Sequence, residues 1–203
     1  GLGRIGEAID AIDRELESTS AGYVSEEREQ LGLLKGIILG ANSEIGRVAL
    51  KTLILNGQGR ETMGIALQLL ARVPNQDVDL LNFLKVVLSR NEPHLLQGQM
   101  YYLRSQLAMK MAQQGSVEER VGLMAIAESD ARTLLDQFPG LSQITNVYRL
   151  LAYAALERQP AQYRAAADFL IQLRDQSPES KDIVEVNSLI GDCYFLNRDF
   201  ANA

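Results

Sequence analysis

The sequence predicts an all-α fold of about ten helices, stacked as helix–turn–helix pairs. Apolar residues recur at spacings of three and four along most of the chain, and no segment shows clean period-two alternation bounded by turns. The helical stretches are short and separated by polar, glycine- or proline-bearing turns. Each apolar stripe can therefore be hidden only against a neighbouring helix.

Taken in order, Ile5, Ala8, Ile9, Ile12 and Leu16 make one stripe over residues 1–18, with Glu7, Asp10, Asp13, Arg14 and Glu17 opposite. Residues 18–22 read as a break. Ser25, followed by Glu26, Glu27 and Arg28, opens a helix to Leu39. Residues 40–43 break it, with Ser43 as N-cap of a helix to Leu55. After the turn Asn56-Gly57-Gln58-Gly59 a helix runs from Arg60 to Arg72, before Pro74. Asp77 is expected to cap a helix from Val78 to Arg90. Pro93 suits the first turn of a helix from His94 to Gln113. Ser116 and Glu119 form a capping box ahead of a helix that stops at Pro139-Gly140.

Composition narrows the function classes. With 203 residues, 46% hydrophobic, 23% charged and only five prolines, the chain is long and apolar enough for one core or one run of repeats. A net charge of −6 argues against general affinity for nucleic acid or an anionic membrane surface. No apolar run reaches the ~18 residues of a membrane span. A single cysteine, Cys193, rules out an intrachain disulfide. The chain begins at Gly1, which fits removal of a leader or a tag remnant; the expected compartment is cytoplasmic or, after loss of a signal peptide, extracytoplasmic.

The last seventeen residues carry Asn187, Ile190, Gly191, Tyr194, Phe200 and Ala203. A small residue, an aromatic three later, a polar turn, then an aromatic and an alanine resemble the first half of a tetratricopeptide unit. Leu150, Tyr153 and Ala154 stand 37 residues before Asn187, Ile190 and Gly191, and Tyr163 and Ala166 stand 37 before Phe200 and Ala203. In this register Glu157 occupies the place of Tyr194. Ala166, Leu170 and Pro178 complete a second-helix pattern; Ala127, Ala131, Leu134 and Pro139 repeat it, Pro139 and Pro178 being 39 apart. The resemblance implies an α–α superhelix, a right-handed solenoid forming one domain over 1–203. Within it, residues 1–42 are an N-terminal cap, 43–139 divergent repeats, 147–180 the best repeat and 184–203 a truncated one.

The family lines a concave surface with its first helices. Carried over at the same register, the groove positions are Tyr148, Leu151, Ala155 and Arg158, then Glu185, Ser188, Asp192 and Phe195. The implied function is a non-enzymatic scaffold for a peptide or protein partner, with no cofactor. Leu151, Ala155 and Asp192 do not supply the lysine/asparagine clamp that grips chaperone carboxylates. Gly191 is expected to admit a close helix. Leu189, Ile190, Tyr194 and Phe200, lacking a return helix, form an expected apolar end face for self-association. A helical subunit of an envelope or secretion assembly is a variant differing only in its partner.

An enzyme is the competing class. Lys35 to Gly46 resembles the first strand and turn of a short-chain dehydrogenase/reductase, with Ile37-Ile38-Leu39 as strand and Ser43 opening the phosphate-binding helix. Glu44 stands where that family needs a third glycine, and no tyrosine is followed four residues later by lysine. Gly1-x-Gly3-x-x-Gly6 matches the dinucleotide fingerprint in letters but has no strand before it. His94, the only histidine, is read as exposed and structural, and Cys193 as a small buried hydrophobe. Acid pairs such as Glu26-Glu27 and Glu118-Glu119 suit the positive end of helix first turns.

Overall fold

The computed structural model describes residues 2–17, 25–90 and 92–203. Every regular element among them is a helix, and there are ten. They form two compact units, Gly1–Gln97 and Gly98–Ala203. The break expected at 18–22 lies outside the described residues. So does Gly1; Gly3 and Gly6 fall inside the first helix and frame no loop.

The first unit holds α1 (Leu2–Glu17), α2 (Ser25–Leu39), α3 (Glu44–Asn56), α4 (Arg60–Ala71) and α5 (Asp77–Leu88). α1 packs on α2, α2 on α3 and α4, α3 on α4, and α4 on α5. The core is aliphatic: Leu50, Ile54, Met63, Ala66 and Leu84 are essentially inaccessible. Ile37-Ile38-Leu39 are the last turn of α2, so the dehydrogenase-like strand is absent. Gly40 ends that helix at φ 78°, its N–H donating to the carbonyls of Gly36 and Ile37. Ser43 then caps α3, accepting from Gly46 N at 3.0 Å. A Cβ on residue 46 would lie 2.1 Å from Gly40 O, so only glycine fits.

Two long-range polar contacts finish helix ends in this unit. The N-cap of α4 is Gly59, which has no side chain. Glu29 of α2, 8% exposed, does the capping: its carboxylate accepts from Gly59 N at 2.7 Å, from Gln58 N at 2.5 Å and from Thr62 Oγ1 at 2.9 Å. His94 is the second. Nδ1 accepts from Leu96 N at 3.0 Å, so Nε2 is the protonated nitrogen and donates to Ile54 O, 2.8 Å away in the last turn of α3. The histidine is half-buried, not exposed, and precedes the next helix, which begins at Gln97 instead of His94. Asp77 likewise lies inside the first turn of α5; the N-cap position is Gln76.

The second unit carries α6 (Gln97–Gln114), which begins at the division, α7 (Val117–Gln137), α8 (Ile144–Leu156), α9 (Tyr163–Gln176) and α10 (Ile183–Leu196). The Ser116–Glu119 capping box forms as expected. α7 packs on α8, α8 on α9 and α9 on α10. Ala152, Ala155, Ala166 and Ala167 meet at the α8–α9 contact, continuous with Leu170, Leu173, Val186, Ile190, Cys193 and Tyr194. Small side chains there let the helix backbones approach closely.

Burial corrects the repeat register. At an offset of 37, Ile190 would correspond to Tyr153, yet Ile190 is 7% exposed and Tyr153 40%. At 39, Val186, Ile190, Cys193 and Tyr194 fall on Val147, Leu151, Ala154 and Ala155, all buried. The same offset takes Ala166, Leu170 and Leu173 to Ala127, Ala131 and Leu134, each at 0%. The mismatch came from Tyr163 and Phe200, which lie beyond the α8–α9 connection, where α8's repeat holds two residues more. Gly191 is also less crowded than expected; a Cβ there meets only Ala203 C, at 4.0 Å.

α10 ends in a Schellman stop. Asp199 N donates to Tyr194 O, Arg198 N to Phe195 O, and Arg198 takes φ 61°. Residues 197–202 are a turn, so the return helix expected from Phe200 does not begin there. Phe200 folds back edge-on to Phe195, ring centroids 5.6 Å apart.

Burial pushes the Glu29 carboxyl up, but the two backbone N–H donors and the Thr62 hydroxyl outweigh it, and the net direction is down. A depressed acid contributes stability at pH above its unfolded value and loses it as pH falls through the folded one. Glu29→Ala should destabilise the unit by about 1–3 kcal/mol, because buried donors lose their acceptor. The stability gap between wild type and Glu29→Gln should shrink as pH drops below about 4.5, read by urea titrations across pH.

Candidate functional site

The candidate surface lies on α6, α8 and α10. Two contacts tie these alternate helices. Asn146 Nδ2 of α8 donates to the Tyr102 hydroxyl of α6 at 3.2 Å, and Gln106 Nε2 donates to the same oxygen at 2.8 Å. Arg149 Nη2 of α8 donates to Asp182, the N-cap residue of α10, at 2.8 Å. Between and beyond these ties Tyr153, Glu185, Ser188, Asp192 and Phe195 are exposed.

The six residues expected in a groove separate in the structure. Leu151, 1% exposed, is buried beneath the surface and presents nothing to a partner; Ala155 is buried with it. Tyr148 packs against the α8–α9–α10 core, its hydroxyl accepting from Gln176 at 3.4 Å. Arg158 is ion-paired with Glu128 of α7, on a different side of α8. Glu185, Asp192 and Phe195 are exposed on one stripe of α10, each a turn or two from the next. The register explains the split. Shifted by two, the α8 counterparts of Glu185, Ser188, Asp192 and Phe195 are Asn146, Arg149, Tyr153 and Leu156. Sequence spacing alone missed Asn146, Arg149 and Tyr153.

The expected self-association face needs the same correction. Ile190 and Tyr194 are buried against α9, and Leu189 is half-buried beside them. The apolar side chains that α10 and its turn expose are Val184, Phe195, Leu196 and Phe200. Cys193 is buried as expected; burial first, then the neighbouring Asp192 charge, raises its thiol pKa.

A cleft lies on another side of α8. α7, with 21 residues, is about 31 Å long and α8, with 13, about 20 Å, so the first turns of α7 have no α8 alongside. Val117 and Val121 are consequently 78% and 72% exposed. A cleft of about 530 Å³ opens there between α7 and the connection before α9. Ion pairs Arg120–Glu157 and Arg158–Glu128 cross from α7 to the α8 end, leaving its charges paired. Burial raises Glu128, but hydrogen bonds from Arg158 and Arg132 reverse this and hold its carboxyl low.

The most deeply buried charge is structural in its geometry. Asp130 of α7, 2% exposed, takes a two-pronged bond from Arg104 of α6, Nε–Oδ2 at 2.7 Å and Nη2–Oδ1 at 2.6 Å. Burial lifts the Asp130 carboxyl above the ordinary aspartate value despite Arg104; the hydrogen bond to Asp130 raises the guanidinium. Both partners are spent on each other. Among the described residues no group of three His, Cys, Asp or Glu is placed to hold a metal ion, and no helix is long and apolar enough to cross a membrane.

Comparison with protein-family models and with curated proteins finds no match for the chain.

Asp130→Ala should cost about 3–5 kcal/mol, since it strands a partly buried guanidinium. Arg104→Met combined with Asp130→Leu should recover most of that loss, measured by chemical denaturation. A double variant as unstable as the single one would show that the pair does more than satisfy itself.

Proposed function

We propose that this chain is a non-enzymatic interaction scaffold of the tetratricopeptide-like α-solenoid kind, and that it holds a peptide or protein segment on the face formed by α6, α8 and α10. The observation that carries this reading is the register of the second unit. At an offset of 39, Tyr148-x2-Leu151-Ala152, then Ala166, Leu170 and Pro178, follow the order of large, small and proline positions of that repeat type; Ala155 stands where the repeat has an aromatic, and Tyr194 fills that place in α10. The stripe shared by α8 and α10 at this register carries Asn146, Arg149 and Tyr153, then Glu185, Ser188, Asp192 and Phe195. Amides and hydroxyls suit peptide backbone, while Tyr153 and Phe195 suit apolar anchors. The helical ending of α2 at Leu39 removes the strand on which the dehydrogenase alternative rested.

Panning a random-peptide display library against the chain tests the proposal. Selected peptides should shift backbone amide resonances of α8 and α10. Tyr153→Ala or Phe195→Ala should weaken them by about 5- to 30-fold, as expected of an anchor residue. A library that yields no binder, or binders insensitive to both variants, would sink it.

A further inference from the structure

The molecule repeats one small arrangement of three groups. Lys51 lies 5.4 Å from the Phe83 ring centroid and bonds Asp79 at 2.7 Å. Arg104 lies 5.5 Å from the Tyr101 ring and bonds Asp130. Arg132 lies 5.9 Å from Phe169 and bonds Glu128 at 2.9 Å. Arg164 lies 5.3 Å from Tyr194 and bonds Asp199 at 3.3 Å. Each time a cation is shared between an aromatic face and a carboxylate, which attract it together.

The outward stripe of α10 presents the same ring and carboxylate without the cation. Asp192 and Phe195 are three residues apart on one helix face, much as Asp79 and Phe83 are four apart on α5. Phe195 is 61% exposed, with the Phe200 ring standing edge-on to it. Neither Asp192 nor Glu185 has an ion-pair or hydrogen-bond partner among the described residues. Arg149 of α8, at the same register as Ser188, is already paired with Asp182.

We infer that this stripe takes an arginine side chain from a partner polypeptide, its guanidinium lying between the Asp192 carboxylate and the Phe195 ring. The inference rests on the scaffold reading and names the chemistry of its partner. Arginine supplies the cation in three of the four internal examples, and its planar head can stack on a ring while bonding a carboxylate. Glu185, two turns before Asp192, stands about 10 Å away along the helix. A polyproline II chain advances about 9 Å in three residues and returns position i+3 to the side of position i, so the fitting segment is Arg-x-x-Arg in that form.

The test is an NMR titration of the whole chain with acetyl-Arg-Ser-Gly-Arg-Leu-amide, beside a control with glutamine at both arginine positions. Saturable shifts centred on 185–195, tighter than with the control, are expected. Asp192→Asn and Phe195→Leu should each weaken the arginine peptide by about 2- to 5-fold, the range of an exposed cation–ring contact. Equal binding of the control, or no change in either variant, overturns the inference. If the arginine peptide fails while display selects arginine-free peptides sensitive to Tyr153→Ala, this inference falls and the scaffold reading stands. If neither peptide nor library binds, both fall.

Discussion

The close approach of α8 to α9 is the constraint on which the second unit depends. Alanines at 152, 155, 166 and 167 keep side-chain bulk out of that contact. The two backbones come together, and a continuous core extends to Val186, Ile190, Cys193 and Tyr194 of α10. Once those residues turn inward, helical periodicity leaves Glu185, Ser188, Asp192 and Phe195 outward. The candidate face is thus the complement of the core. A bulky residue at one of the four alanines would change the outward stripe through the packing behind it.

Polar groups in the first unit act at a distance in sequence. Glu29 caps the start of a helix whose N-cap residue lies thirty residues later, and His94 satisfies a carbonyl forty residues earlier. Helix ends leave several backbone groups without intrahelical partners, and a buried end must find them elsewhere. Glu29 and His94 supply such partners from far along the chain. Their geometry assigns them to capping. In the second unit Arg104 and Asp130 satisfy each other in the same way, a guanidinium closing on a buried carboxylate.

The dinucleotide-like glycines show why a motif needs its context. Gly40 is required because the chain must turn at positive φ, and Gly46 because backbone passes where a Cβ would stand. Those are the same two physical reasons that place glycine in a phosphate-binding turn. Spacing alone cannot distinguish a strand–turn–helix from a helix–turn–helix when the apolar run is three residues long.

The sequence by itself determined the helical class, most helix boundaries to within a residue or two, the capping box at Ser116 and the inward residues Ala127, Ala131, Leu134, Ala166, Leu170 and Leu173, while Val117 and Val121, expected on the α7 stripe, are exposed. These are local consequences of apolar periodicity and capping chemistry, which a few neighbouring residues specify. Tertiary structure decided the rest. The repeat register slipped by two because the α8–α9 connection is longer than its counterpart, and spacing counted across a loop carries no helical phase. That slip put Leu151 on the surface and hid Asn146, Arg149 and Tyr153, although Glu185, Asp192 and Phe195 were read on the open side. Which face of a helix is open depends on what packs behind it, and that is set by residues far away in the chain.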